Sequence, residues 1–284
     1  MSVAGTHNGR QNVPADARLR RGGPRVKPGR SLLADRYTVT GFAGDGASGN
    51  VWHGRENGTG RLVTLYEHYS RDPARHQKLV SACRLAVGIH HPALLTWRAC
   101  GIDRGEHGPA VWLVADFVES LSLESMIQRG PLETRHGCEV AAAMADGLAY
   151  AYSRGLAHGA CEPGLVRIVG GQHVKLLGHG LYVGDEEAEA PARFANRRRY
   201  RAPELLPSAD ATAAADQYSV GCIAIKMITG SLPGELAPER CESALRQALG
   251  PVATNAAAAI MRSVSEDPRD RFEDLSQLAD SLRN

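Results

Sequence analysis

Gly44-Asp45-Gly46-Ala47-Ser48-Gly49-Asn50-Val51-Trp52-His53 is the stretch on which the fold turns. Its first eight residues fit G-x-G-x-x-G-x-V, a glycine pattern that serves either a dinucleotide-binding turn or a glycine-rich hairpin. A dinucleotide fingerprint runs into a helix. Here Val51-Trp52-His53 continues as a strand, and a second strand follows the Asn57-Gly58 turn. The loop therefore lies between two strands, and the hairpin reading holds.

Working outward, residues 37–42, 49–54 and 61–66 alternate or run apolar between Gly and Asn turns, which predicts successive antiparallel strands. Residues 73–88 have helical spacing, with Leu79, Cys83, Ala86 and Val87 on one face. Two more strands are expected at 94–101 and 111–117. Beyond Ser122 the chain turns helical, at 132–154, 214–230, 241–250, 252–264 and 272–282. Strands first and helices after predict an α+β fold of two lobes. The expected boundaries are a disordered basic tail at 1–31 and a domain at 32–284, divided into an N-lobe at about 32–117 and a C-lobe at about 118–284.

The 284 residues carry 33 basic and 31 acidic side chains, a formal charge of +2, so bulk charge gives no argument for nucleic-acid binding. The only lysines are Lys27, Lys78, Lys175 and Lys226. The six cysteines form no C-x-x-C pair, which argues against a zinc site or a disulfide framework. No apolar run is long enough to span a bilayer, so a cytoplasmic location is expected. In the tail, Arg10, Arg18, Arg20, Arg21, Arg25, Lys27 and Arg30 face only Asp16. That reads as a solvated arm or as a weak electrostatic one for an acidic surface.

Further motifs fall in order. They are His91-Pro92 after the first helix, Trp112 to Glu119 as a last strand and hinge, and Gly155-Leu156-Ala157-His158 before a loop. Val174-Lys175-Leu176, Ala202-Pro203-Glu204, Asp216 to Gly221 and Asp267-Pro268 with Arg271 complete the series. With the glycine loop, they make the chain from about residue 33 to 282 resemble a bacterial eukaryotic-like Ser/Thr protein kinase domain. The resemblance implies structural roles for His158, Glu204, Asp216 and Arg271, with Glu204 and Arg271 paired. It places Gly44, Gly46, Gly49 and Val51 over a nucleotide cleft lined also by Thr64, Ala115 and Arg167.

The same resemblance exposes departures. Tyr66 stands at the phosphate-clamping lysine and Ala82 at the glutamate that orients it. Ala160 occupies the general-base position, Glu162 the lysine after it, Leu165 the metal-binding asparagine and Gly178 the metal-binding aspartate. Phosphoryl transfer depends on positioning and charge neutralisation by these groups, and loss of one such group commonly costs about a hundred- to a thousand-fold in rate. The expectation is a degenerate member, a pseudokinase that is not an enzyme, with no cofactor expected. ATP binding is expected to be absent or weak, and independent of magnesium if present.

Arg167, on the adenine floor, is expected to fill part of the cleft or to pair with Asp116. Lys78, one turn before Ala82, is the candidate for a relocated lysine, against the plainer reading of a solvated helix lysine. His179 replaces the usual Phe and is read as a satisfied buried histidine. The segment 181–201 contains no Ser or Thr; it carries an acidic run from Asp185 to Glu189 and then Arg197, Arg198, Arg199 and Arg201. These read either as a self-paired solvated loop or as a docking surface for an acidic or phosphorylated segment.

The functional expectation is a protein-interaction or regulatory module. The alternatives are a nucleotide-binding sensor or a weak, non-standard Ser/Thr kinase. The expected partner is a protein, whether an active kinase, a phosphopeptide-binding protein or a membrane or cell-envelope protein. No specific nucleic acid is expected.

Overall fold

A computed structural model describes residues 26–45, 49–68, 73–105, 108–179, 181, 198–205, 210–250 and 254–284. The first lobe is one antiparallel sheet of six strands in the order β1-β2-β3-β4-β6-β5. They are β1 (Ser31–Leu32), β2 (Tyr37–Asp45), β3 (Gly49–Glu56), β4 (Leu62–His68), β5 (Trp97–Gly105) and β6 (Gly108–Asp116). Period-two alternation sends Tyr37, Val39, Trp52, Val63 and Leu65 into one small core with Trp112 and Val114. Helix α1 (Pro73–Val87) packs on the other face through Leu79, Cys83 and Ala86, and joins a larger core continuous with the second lobe.

The second lobe is built on α3 (Thr134–Ser153) and α4 (Ala213–Thr229). Glu133 caps α3 by accepting from the Arg135 and His136 amides, which satisfies two of the orphan donors at a helix start. Helix α4 is apolar almost all round, and residues on every side of it are buried, as a central helix requires. Around these pack the short α2 (Leu123–Ile127), then α5 (Pro238–Leu249), α6 (Thr254–Ser263) and α7 (Leu275–Arg283). A small sheet of β7 (Leu121–Ser122), β8 (Val166–Val169) and β9 (His173–Leu176) lies beneath the hinge between the lobes.

One expectation is corrected here. The basic tail ends earlier than residue 31. Val26 is buried in the first-lobe core, and Gly29 and Arg30 exchange backbone hydrogen bonds of 2.8 Å with Val39. Arg30 also pairs with Asp103 at 3.3 Å. Pairing with an exposed strand edge, rather than any periodicity of its own, orders this Pro- and Gly-rich segment. Residues 1–25, and the acidic run of residues 185–189, lie outside the described residues. All six cysteines are free thiols. Among the described residues, no helix is long and apolar enough to cross a membrane.

Candidate functional site

Between the lobes lies a cavity of about 600 Å³. Its roof is the β2–β3 hairpin and β4, through Gly44, Gly49, Val51, Thr64 and Tyr66. Its floor is β8, β9 and the loop before them, through Glu162, Leu165, Arg167, Lys175, Leu177 and Gly178. Asp116, Phe117, Val118 and Ser120 form the back along the hinge. The hairpin tip, with Gly46, lies outside the described residues. Ala115, expected on the wall, is instead fully buried within the sheet.

The loop leading to the floor is rigidly held. Asp216 on α4 accepts the His158 and Gly159 amides, each at 2.7 Å. His158 Nε2 lies 2.6 Å from the Leu177 carbonyl oxygen, so this nitrogen carries the proton. Its Nδ1 in turn accepts the Ala160 amide at 3.3 Å. Gly159 adopts φ +74°, and a Cβ there would meet Ala211 Cβ at 2.6 Å. Gly178 adopts φ +96°. Both positions suit glycine and strain any other residue.

A second anchor lies below. The Arg271 side chain is fully buried and forks onto Glu204 at 2.6 and 2.9 Å. It also donates to the Ala214, Ser265 and Glu266 carbonyl oxygens and lies over the Tyr218 ring. Burial acts to raise the Glu204 pKa, but the hydrogen bonds and charge of Arg271 outweigh it and hold the carboxyl below its ordinary value.

The chemistry-bearing positions tell a different story. Tyr66 is half-buried, edge-on to Trp97 at 5.1 Å between ring centroids. Burial pushes its phenol up to about 12, so it stays neutral at physiological pH. Ala82 and Ala160 are buried core residues. Leu165 and Gly178 reach the cavity without a ligand atom.

A magnesium ion between phosphates requires carboxylates beside it. Among the described side chains, the wall offers Asp116 and Glu162. Asp116 is engaged at the hinge by Arg98, through a short contact and a second at 3.2 Å, and by Arg61 at 3.6 Å. Glu162, the other carboxylate of the wall, lies near the loop and also has a partner. This donor set does not fit a magnesium-bridged triphosphate.

One further expectation, at His179, is corrected, and the alternatives at Arg167 and Lys78 are decided. Arg167 does not pair with Asp116, which is already held by two other arginines. It donates instead to the Ser120 hydroxyl at 3.1 Å and the Ser120 carbonyl oxygen at 3.0 Å, and still faces the cavity. Lys78 is exposed, outside the cavity wall, with its ammonium 3.4 Å from Asp210, which is the plainer reading of a solvated helix lysine rather than a relocated one. His179 is fully buried beside Trp97, yet among the described residues neither ring nitrogen has a hydrogen-bond partner. The neighbouring Trp97 Nε1 is also buried without a partner among the described residues.

Of the arginine cluster, Arg197 lies outside the described residues. Arg199 pairs with Glu235, and Arg198 and Arg201 also have partners. The cavity residues that sequence reasoning missed are Lys175 and the hinge Ser120. Strand alternation places Lys175 on the same face as Leu177 and opposite Arg167, which was the available signal.

Residues 37–283 match the family model described as the protein kinase domain. The chain is 27% identical over 209 residues to the serine/threonine-protein kinase PknA of Mycobacterium tuberculosis H37Rv, covering 71% of this chain and 48% of that one. It is 23% identical over 270 residues to the serine/threonine-protein kinase PknB of Mycolicibacterium smegmatis, covering 88% and 43%. The chain thus spans about half the length, or less, of these curated relatives. The crystallised kinase domain of Mycobacterium tuberculosis PknI superposes with a TM-score of 0.72 at 23% identity, covering 90% of this chain and 98% of that one. That likeness shows the fold. The matches overturn the expectation that the chain is not an enzyme, because the matched family is that of protein kinases and the relatives are named as such.

Proposed function

Given that the chain belongs to the protein kinase family, we propose that it is a regulatory, protein-binding domain of that family in which phosphoryl transfer is slow and proceeds by a non-standard arrangement. One observation carries this reading. The groups that hold the fold are engaged, with Asp216 gripping the loop at His158 and Arg271 forked onto Glu204. The positions that would clamp phosphate and metal instead present a neutral phenol, an isobutyl group and a glycine, at Tyr66, Leu165 and Gly178. Transition-state charge then has few preorganised partners, and rate falls steeply with each one missing.

Magnesium-independent, weak nucleotide binding follows from the same donor set. The partner is a protein, engaged by the outer surface of the domain. The open cavity favours a second role beside this one, in which a small molecule bound between the lobes alters the surface that the partner meets.

The test pairs two measurements on the full chain. Crosslinking in native lysate with and without EDTA identifies any partner, and transfer from labelled ATP to that partner is then timed. The reading expects one partner at stoichiometric yield under both conditions, with slow transfer. Partner capture that collapses in EDTA, together with rapid magnesium-dependent transfer, contradicts it.

A further inference from the structure

Two cations stand side by side on the cavity floor. Arg167 on β8 and Lys175 on β9 are direct cross-strand partners. Both line the cavity, so their side chains leave the same face of the small sheet. Directly opposed side chains on paired strands stand about 5 Å apart at Cβ, and like charges there repel. Both residues are half-buried, so water screens them incompletely.

What each one touches is neutral. Arg167 spends its Nε and one Nη on Ser120, which leaves the other Nη pointing elsewhere. Lys175 reaches only the Leu94 carbonyl oxygen, at the long distance of 3.5 Å. Among the described residues neither forms an ion pair. Asp116, the carboxylate whose charge reaches Lys175, is committed to Arg98 and Arg61. Burial lowers the Lys175 pKa, with the Asp116 charge opposing it only in part. Ser120 and Leu94 orient the two cations without cancelling them.

We propose that Arg167 and Lys175 form an oxyanion site on the cleft floor, which takes the phosphate or carboxylate group of a small organic anion without a metal ion. The guanidinium fork suits the paired oxygens of such a group, and the ammonium supplies a point charge beside it. A cavity of about 600 Å³ accepts a body of mononucleotide size above the anion. The charged group of the ligand would sit on the floor beside the hinge, below Tyr66. This site does not depend on whether the domain transfers phosphate.

Calorimetric titration of the full chain in EDTA at low salt tests it. The probes are inorganic pyrophosphate, adenosine monophosphate, citrate and uncharged adenosine. At least one anion is expected to bind, with adenosine much weaker than adenosine monophosphate. Pyrophosphate and adenosine monophosphate report a phosphate site, and citrate alone reports a carboxylate one.

Arg167→Leu and Lys175→Met should each weaken the bound anion by at least about ten-fold. Their melting temperatures without ligand should be unchanged or raised, since each removes one of two repelling charges. If either fails to fold, Arg167→Lys and Lys175→Arg decide instead: they should keep measurable affinity that declines as salt increases. The proposal is overturned if no anion binds the unaltered chain, if adenosine binds as well as its monophosphate, if the Leu and Met variants bind unchanged, or if binding ignores salt.

Discussion

His179→Phe should stabilise this protein, and increasingly so as the solution becomes acidic. His179 is fully buried, and neither ring nitrogen has a partner among the described residues. A neutral imidazole always carries one N–H, and leaving such a donor buried and unpaired costs about 1–3 kcal/mol. Replacing it with a ring of similar shape recovers that amount, less any strain from the slightly larger side chain against Trp97. Because about 1 kcal/mol moves the melting temperature by roughly 2–4 °C in a domain of this size, the expected gain near pH 7.5 is about 2–12 °C before strain is subtracted.

Acidity adds to the gain. Burial, and then the neighbouring His158, hold the His179 pKa down to about 3. Below about pH 6.5 the unfolded chain takes up a proton at this residue that the folded protein refuses. The folded state therefore loses up to about 1.4 kcal/mol per pH unit as pH falls from about 6.5 toward 3, and the variant does not share this loss. Differential scanning fluorimetry across pH 5–8, on the unaltered chain, His179→Phe and His179→Leu, measures both parts. If both variants melt at or below the unaltered chain, and the gap does not widen below pH 6.5, the imidazole is satisfied and the reasoning fails.

Four other predictions concern the anchors and the cleft. Arg271→Ala strands Glu204 and three carbonyl oxygens, and should destabilise by about 3–5 kcal/mol; a denaturant midpoint close to that of the unaltered chain would refute the anchor. Because the Glu204 carboxyl is held below its ordinary pKa, the stability it contributes should be present above about pH 4.3 and lost as pH falls through the depressed value. Chemical denaturation of Glu204→Gln beside the unaltered chain, from pH 6 down to 3, should show the difference between them shrink. Lys78→Ala removes only an exposed contact to Asp210, so stability should move by less than about 0.5 kcal/mol and nucleotide binding not at all. A clear loss of nucleotide affinity would return Lys78 to the cleft. Gly178→Asp should not create magnesium affinity, since Leu165 still lacks a ligand atom, and should cost about 1–2 kcal/mol for a side chain at φ +96°; tight magnesium-dependent binding would count against the donor-set argument.

Much of the fold was legible because its signals are local and ordered. Alternation in β2 to β4 and the nearly all-apolar run of α4 mark their own elements. Ala202-Pro203-Glu204 and Arg271 sit at spacings that a pairing across 67 positions demands. What escaped sequence reading depends on contacts between distant segments. Val26 is buried only because the edge of β2 is free to pair with residues 29–30. Arg167 turned to Ser120 because Arg98, a strand away, had already claimed Asp116. Lys175 looked like one residue of a common motif, and only the β8–β9 register sets it against Arg167. The unsatisfied state of His179 is likewise invisible in sequence, since it records what surrounds the ring rather than the ring itself.

The central claim is that Tyr66, Leu165 and Gly178 leave the roof of the cleft without a phosphate clamp and its loop without a full metal-ligand set, so that any transfer is slow and non-standard. Single-turnover transfer from labelled ATP, with saturating enzyme and with magnesium varied from none to millimolar, measures this directly. The expected result is a rate at least about a thousand-fold below the roughly 1–100 s⁻¹ usual for kinases, and flat with magnesium. A magnesium-saturable rate within that usual range would contradict the account.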